Sequence, residues 1–435
     1  MRSLQANFSF SSLEANTIET TRGELSELHI EGTYPNGNVG EPQLPMFTRL
    51  IAIPTGATPI VSVGAHSETE YTLSDYGIGT VAAMQAPVRK SIDPGTVEYA
   101  FSEEAYARDS YNDDPVAMVE VLGTMRGITL GRLIVQPVRY NPVAGTVKVF
   151  NDIEVSVDFQ GGDADATERM FKSTANVAFQ SVYDQIFNIG MLMGGPTRDA
   201  YTDHPDFYNT PVKMLVICYS GFEGNSALNE WLQWKLQKGY YVDIYYTGSG
   251  SNNAGTTASS IASFIKTKYN ASVSAGNAYT YLIVIGDTGQ VPQYMNKNID
   301  SSIGNCASDL GYASVNFSSS TSNYFPDMYY SRISVENTTH LTNYINKVLT
   351  YERFEFTDGG NYLNNVILVG GWDSNWTARV AKPTINYGTN YYFNSSNTTY
   401  GGFSGGTINA TISTSSTKSV ILCKLQSAAQ SSDDM

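Results

Sequence analysis

Cysteine is scarce in this chain of 435 residues, and the three present, Cys218, Cys306 and Cys423, are far apart and odd in number. That excludes a disulfide framework, and the lack of any Cys-x-x-Cys pair excludes the usual thiolate metal sites. Histidine is nearly as rare, with only His29, His66, His204 and His340 to serve as acid–base groups. Charged residues make up 15% of the chain, and Asp and Glu outnumber Lys and Arg by 41 to 26, a formal charge of −15. Nucleic-acid binding needs clustered cations to meet phosphates, and none occur, so that function class falls away. No run approaches the roughly 20 apolar residues that span a bilayer, so no transmembrane segment is expected. Nor do the first residues, Met1-Arg2-Ser3-Leu4-Gln5, contain the apolar stretch of a signal peptide.

What is abundant is Tyr, Ser, Thr, Asn and Gly, a composition common among exported and surface proteins. The length exceeds what one core supports, so two or three domains are expected.

Over the first 160 or so residues the period is two. Val147 and Val149 alternate with polar neighbours, as do Ile153, Val155, Val157 and Phe159, so each set lines one face of a half-buried sheet. Asn141-Pro142-Val143-Ala144-Gly145 carries turn chemistry between "GRLIVQPVRY" and "TVKVF", predicting a hairpin. In "GEPQLPMFTRLIAIPTGA", Pro42, Pro45 and Pro54 confine the apolar runs to edge strands or extended segments. The expectation is a β-rich domain over 1–190, of sandwich or barrel type.

Helical stretches and then the breaker-rich "GGPTRDAYTDHPDFYNTP" follow, placing a linker at 191–210 with Arg198 as a candidate cleavage point. From Pro211 the pattern alternates strand and helix. "KMLVIC" reads as a buried strand; Leu228, Trp231, Leu232 and Leu236 recur at helical spacing up to Gly239; "YYVDIYY" is the next strand. Ile261, Phe264 and Ile265 mark a second helix before "YTYLIVI", and Leu341, Tyr344, Ile345, Val348 and Leu349 a third before "NNVILVGG". Val420-Ile421-Leu422-Cys423 reads as a further buried strand. This alternation predicts a mainly parallel, doubly wound sheet over 211–435.

Cys218 ends an apolar strand and reads as a small buried hydrophobe, whereas Cys306, in "GNCASD", reads as more exposed. His340 opens a helix. Asp287 after "YLIVIG" and Asp309 in "SDLGY" fall near the carboxyl edge of the sheet, where an acid holds a cation or a basic side chain, or else caps a turn or helix.

"YLIVIGDTGQVPQ", "CASDLGYASV" and "YFPDMYYSRISVENTTHLTNYINKVLTYE" resemble, in order and spacing, the amino-terminal part of the gingipain-like cysteine peptidases, peptidase family C25. "GEPQLPMFTRLIAIPTGA" and "VRYNPVAGTVKVFNDIEVSVDF" are similar to that family's propeptide. The resemblance implies a secreted or surface zymogen, in which a β-rich prodomain partners a caspase-like α/β domain that cleaves proteins or peptides with a Cys/His dyad. It also implies structural calcium as an option and no required cofactor. Asp373 falls where arginine-specific relatives place acidic pocket residues. In the family the histidine sits in a Gly-His-Gly-like loop after one strand and the cysteine follows the next. The strand at 420–423 matches the first of these by order, yet no histidine follows it and none of the four has that context. The expectation is therefore a peptidase domain incomplete at its carboxyl end, with no catalytic residue assigned, or alternatively a non-catalytic relative acting in surface binding or adhesion.

Overall fold

The computed structural model describes residues 2–88, 96–192, 212–296, 306–316, 325–357 and 359, the backbone of three later strands, and Thr384 and Tyr387. Arg198, His204 and Asp373 lie outside the described residues. The chain divides into two compact units, one of residues 1–85 and 99–347, the other of residues 86–98 and 348–435.

The first unit begins with twelve strands: β1 (Ser3–Phe8), β2 (Glu14–Thr20), β3 (Gly23–His29), β4 (Tyr34–Asn36), β5 (Leu44–Ile53), β6 (Thr58–Val63), β7 (Ser67–Thr72), β8 (Ala117–Met125), β9 (Ile128–Val135), β10 (Val138–Asn141), β11 (Thr146–Asn151) and β12 (Ile153–Gln160). Two open antiparallel sheets, β1-β12-β6 and β4-β5-β9-β8, pack face to face. The strict alternation of β12 turns Ile153, Val155, Val157 and Phe159 inward against Ile51, Ile53, Leu133 and Val135. Each such burial contributes about 1.5–3 kcal/mol relative to exposure. The expected β10–β11 hairpin forms across Asn141–Gly145, and with β7 it covers a second core around Leu28, Leu73, Val81 and Val138. The β-rich part is thus a sandwich with an added layer rather than a closed barrel.

The proline-rich run has a subtler outcome than an edge strand. β5 sits between β4 and β9, but β4 covers only its first three residues, with Pro35 opposite Pro45. Beyond that, the open side is capped by a later segment. Phe187 N–H donates to the Leu50 carbonyl at 2.8 Å, and the buried Asn188 amide both accepts from Ala52 N–H (2.7 Å) and donates to Ala52 O (2.9 Å). A single amide side chain thereby supplies the two bonds a neighbouring strand would give.

Helix α1 (Ala164–Thr174) leads towards the α/β part, whose parallel sheet is built from β13 (Lys213–Cys218), β14 (Tyr241–Tyr246), β15 (Tyr281–Ile285) and β18 (Tyr329–Ile333) in the order β14-β13-β15-β18. The short pair β16 (Tyr294–Asn296) and β17 (Cys306–Ser308) lies between the last two in sequence. Helices α2 (Ser226–Gln237), α3 (Ala258–Ser274) and α4 (Thr338–Arg353) fall where the apolar spacing places them. Asn225 caps the start of α2 through its side chain on Leu228 N–H. At its end Gly239, at φ 88°, lets Tyr240 N–H reach back to Lys235 O and Gly239 N–H to Leu236 O, the paired bonds of a Schellman stop. Thr257 and Ser260 form a reciprocal capping box for α3.

The second unit departs from the expected continuation of a parallel sheet. β19 (Asn365–Gly370) and β20 (Thr407–Ser415) flank β21 (Lys418–Gln426), and both pairings are antiparallel. Residues 420–423 thus sit in an antiparallel strand, opposite 413–410 on one side and 369–366 on the other. The overlooked strand is β20: its Ile408, Ala410 and Ile412 alternate at period two within a Ser/Thr/Asn-rich stretch that reads as loop.

Candidate functional site

The carboxyl ends of β13, β15 and β18 are bonded to one another just past the sheet. Tyr219 N–H donates to Ile285 O (2.9 Å), Gly286 N–H to Ile333 O (3.0 Å) and Asp287 N–H to Val335 O (3.0 Å). Gly286 is required at its bend. It holds φ 137°, and a Cβ there would meet Gln290 Cβ and Val291 Cγ2 at 3.0 Å each.

Asp287 and Asp309 both lie at this edge. The Asp287 carboxylate accepts from the Ser334 hydroxyl at 2.6 Å, and that bond, with a second from Thr288 N–H, holds it below the usual carboxylate range. It makes no ion pair among the described residues. Asp309 has a different environment. Arg332 Nε and Nη2 donate to its two oxygens at 2.8 and 2.7 Å, both side chains are about 14% exposed or less, and Arg332 Nη1 donates to Gly286 O (2.9 Å) and Val291 O (2.8 Å). Sequence reading missed Arg332; its signal was a lone Arg inside an otherwise tyrosine-rich strand at the same edge as two acids.

Cys218 also ends a strand here, fully buried, its thiol donating weakly to Tyr219 O at 3.5 Å. Burial, reinforced by the Glu223 charge, pushes the thiol up to about 12. A thiol so protonated supplies no nucleophile near neutrality. Cys306 stands in β17 opposite Asn296, and Cys423 in β21 opposite Val366 and Ala410. The described histidines are exposed and in structural settings. His29 ends β3, His66 Nδ1 bonds Gly64 O at 3.1 Å, and His340 N–H is capped by Asn337 Oδ1 at 2.9 Å. Among the described residues no group of three His, Cys, Asp or Glu gathers. No helix among them is long and apolar enough to cross a membrane.

A family model for peptidase family C25 matches residues 207–424, and one for the C25 propeptide matches residues 2–187. The chain belongs to peptidase family C25. Within that family it is similar to Lys-gingipain W83 of Porphyromonas gingivalis, 39% identical over 393 residues, which is 90% of this chain and 21% of that protein. Gingipain R2 of the same species is 21% identical over 351 residues, 80% of this chain and 43% of that protein. The C25 chain thus spans about a fifth of the length of Lys-gingipain. Among solved structures, one concerned with the zymogenic latency of gingipain K from Porphyromonas gingivalis shares 40% identity, covering 37% of this chain and 88% of that one at a TM-score of 0.36.

Proposed function

We propose that this chain carries propeptide and peptidase-domain sequence of a secreted or surface cysteine endopeptidase zymogen of gingipain type, acting on proteins or peptides through a caspase-like α/β domain. The observation that carries the reading is the order of the two family matches in one chain, propeptide at 2–187 and peptidase at 207–424. A β-sandwich followed by a parallel sheet agrees with that order. We further propose that none of Cys218, Cys306 and Cys423 acts as the nucleophile in this chain, that Arg198 is the point at which the propeptide is separated, and that Asp287 and Asp373 serve a basic substrate group or cation. Asp309 is given no such role, because Arg332 occupies both its oxygens.

The test compares the protein purified from its source with recombinant 1–435, each on a fluorogenic peptide library with reductant, before and after cutting within residues 193–211. Iodoacetamide-sensitive hydrolysis by the source protein and none by 1–435 is the expected pattern. Turnover by 1–435 that vanishes in Cys306→Ala or Cys423→Ala would overturn the assignment of inert thiols. Absence of thiol-dependent hydrolysis in the source protein would overturn the peptidase reading itself.

A further inference from the structure

β8 and β9 are joined by two residues, Arg126 and Gly127, at φ 48° and 75°. This is the backbone of a tight hairpin turn that favours Asn-Gly. An Arg held in the left-handed region is strained by its Cβ, so its contacts must offset the strain. Arg126 is also the largest fully buried side chain among the described residues, at 0% exposure. Its partners come from both halves of the first unit. Nε donates to Thr174 O at 3.0 Å and Nη2 donates to the same oxygen, while Nη1 donates to Tyr279 O (2.9 Å) and Asp327 O (2.7 Å). The Arg126 N–H donates to Asp327 Oδ1 at 2.6 Å, and the other carboxylate oxygen accepts from Val315 N–H at 2.9 Å. The guanidinium lies 4.3 Å from the Phe179 ring, which itself stacks on Tyr329. Beside it a Cβ on Gly127 would fall 2.0 Å from Met170 Cγ and force that side chain to shift.

Tyr279 and Asp327 lie two residues before the starts of β15 and β18. The socket therefore stands at the amino edge of the parallel sheet, across it from Cys218, Asp287 and Ser334. We infer that Arg126 is the residue by which the propeptide recognises and stays on the C25 domain, through a socket at this amino edge that functions whether or not the two are covalently joined. Three carbonyls and a carboxylate converge on the tip of one hairpin. A planar fork of N–H donors meets them together, whereas a lysine, with a single nitrogen, cannot. The inference concerns pairing and is independent of whether the chain hydrolyses peptides.

The experiment uses the full chain with a site-specific protease sequence placed within residues 193–211. After cutting, co-elution and dilution-dependent dissociation are measured for the wild type, Arg126→Lys, Arg126→Ala and, as a surface control, Arg132→Ala, whose partner Glu120 is exposed. Wild-type halves should remain together and the control should match within about twofold. Removing one member of a buried hydrogen-bonded charge set should weaken pairing by about 30- to 1,000-fold in Arg126→Ala, with a smaller loss in Arg126→Lys. Hydrogen exchange on the uncut chain covers the case in which Arg126→Ala does not fold. Arg126→Lys should speed exchange over 313–329 and leave β1, β6 and β12 unchanged. Wild-type halves that separate at once, variants that pair like wild type, or faster exchange throughout the sandwich would each overturn the inference.

Discussion

Arg332 and Asp309 face each other with two parallel hydrogen bonds, and the remaining donors of the same guanidinium hold the carbonyls of Gly286 and Val291. One side chain on β18 thus fixes the turn after β15 and the segment that leads into the helical turn at Leu310–Ala313. The planar fork suits this load because each N–H already points along a separate direction.

Breaking that set leaves a charge and two carbonyls without partners in a nearly enclosed place. Arg332→Ala should lower stability by about 3–5 kcal/mol, and Asp309→Asn by less, since the amide keeps its shape and one acceptor. Urea unfolding followed by tryptophan fluorescence measures both. A midpoint for Arg332→Ala equal to the wild type would show that the network contributes nothing.

Gly286→Ala tests the neighbouring bend. A residue forced to φ 137° with the side-chain atoms Gln290 Cβ and Val291 Cγ2 at 3.0 Å should cost about 1–3 kcal/mol. A Gly276→Ala control separates strain from crowding, since Gly276 also has positive φ, 75°, but open space around its Cβ. Equal losses in the two variants would assign the effect to backbone alone.

Much of the architecture was legible because period and punctuation agree in it. Val155 and Val157 in β12, Leu228 and Trp231 in α2 and Gly239 at its end each do what local chemistry dictates. The site was legible only in part. Asp287 and Asp309 were placed near the sheet edge by their strand-end positions, but the arginine that claims Asp309 lies 23 residues further along. Arg126 was illegible for a stronger reason. A polar residue at a two-residue turn reads as solvent-exposed, and only the folded chain brings Thr174, Tyr279 and Asp327 around it, the last of them 201 residues away. β20 escaped because Ser and Thr mask a period-two pattern when its apolar members are few.

Cys218 should behave as packing rather than as chemistry. With its thiol raised to about 12, the folded protein at pH 8 should resist maleimide at this position while urea-unfolded protein reacts, which peptide mapping after labelling reads directly. The linkage runs the same way. The unfolded thiol ionises first, at about 9, so the stability this group contributes is intact below that pH and declines as pH rises towards 12. Rapid native-state labelling of Cys218 would contradict both its burial and its assignment as inert.

Asp327 gives the most direct electrostatic test, because its carboxyl is buried beside a buried cation. Burial raises it to about 6 from an ordinary 3.8, against the opposing pull of the Arg126 and Val315 N–H groups and of the Arg126 charge. The folded state therefore holds a proton that the unfolded state has released between those two values. The stability this group contributes is complete below 3.8 and is lost as pH rises through 6. A displacement of about two pKa units corresponds to about 3 kcal/mol. Unfolding free energies of the wild type and Asp327→Asn, measured in urea from pH 7.5 to 4, isolate the group from the many other acids in the chain. The wild type should gain on the variant below pH 6, by about 2–3 kcal/mol at pH 4, with the two curves parallel above pH 7. A wild type that instead loses ground to Asp327→Asn on acidification would mean that the carboxylate's bonds to Arg126 and Val315 outweigh its desolvation, reversing the sign assigned here.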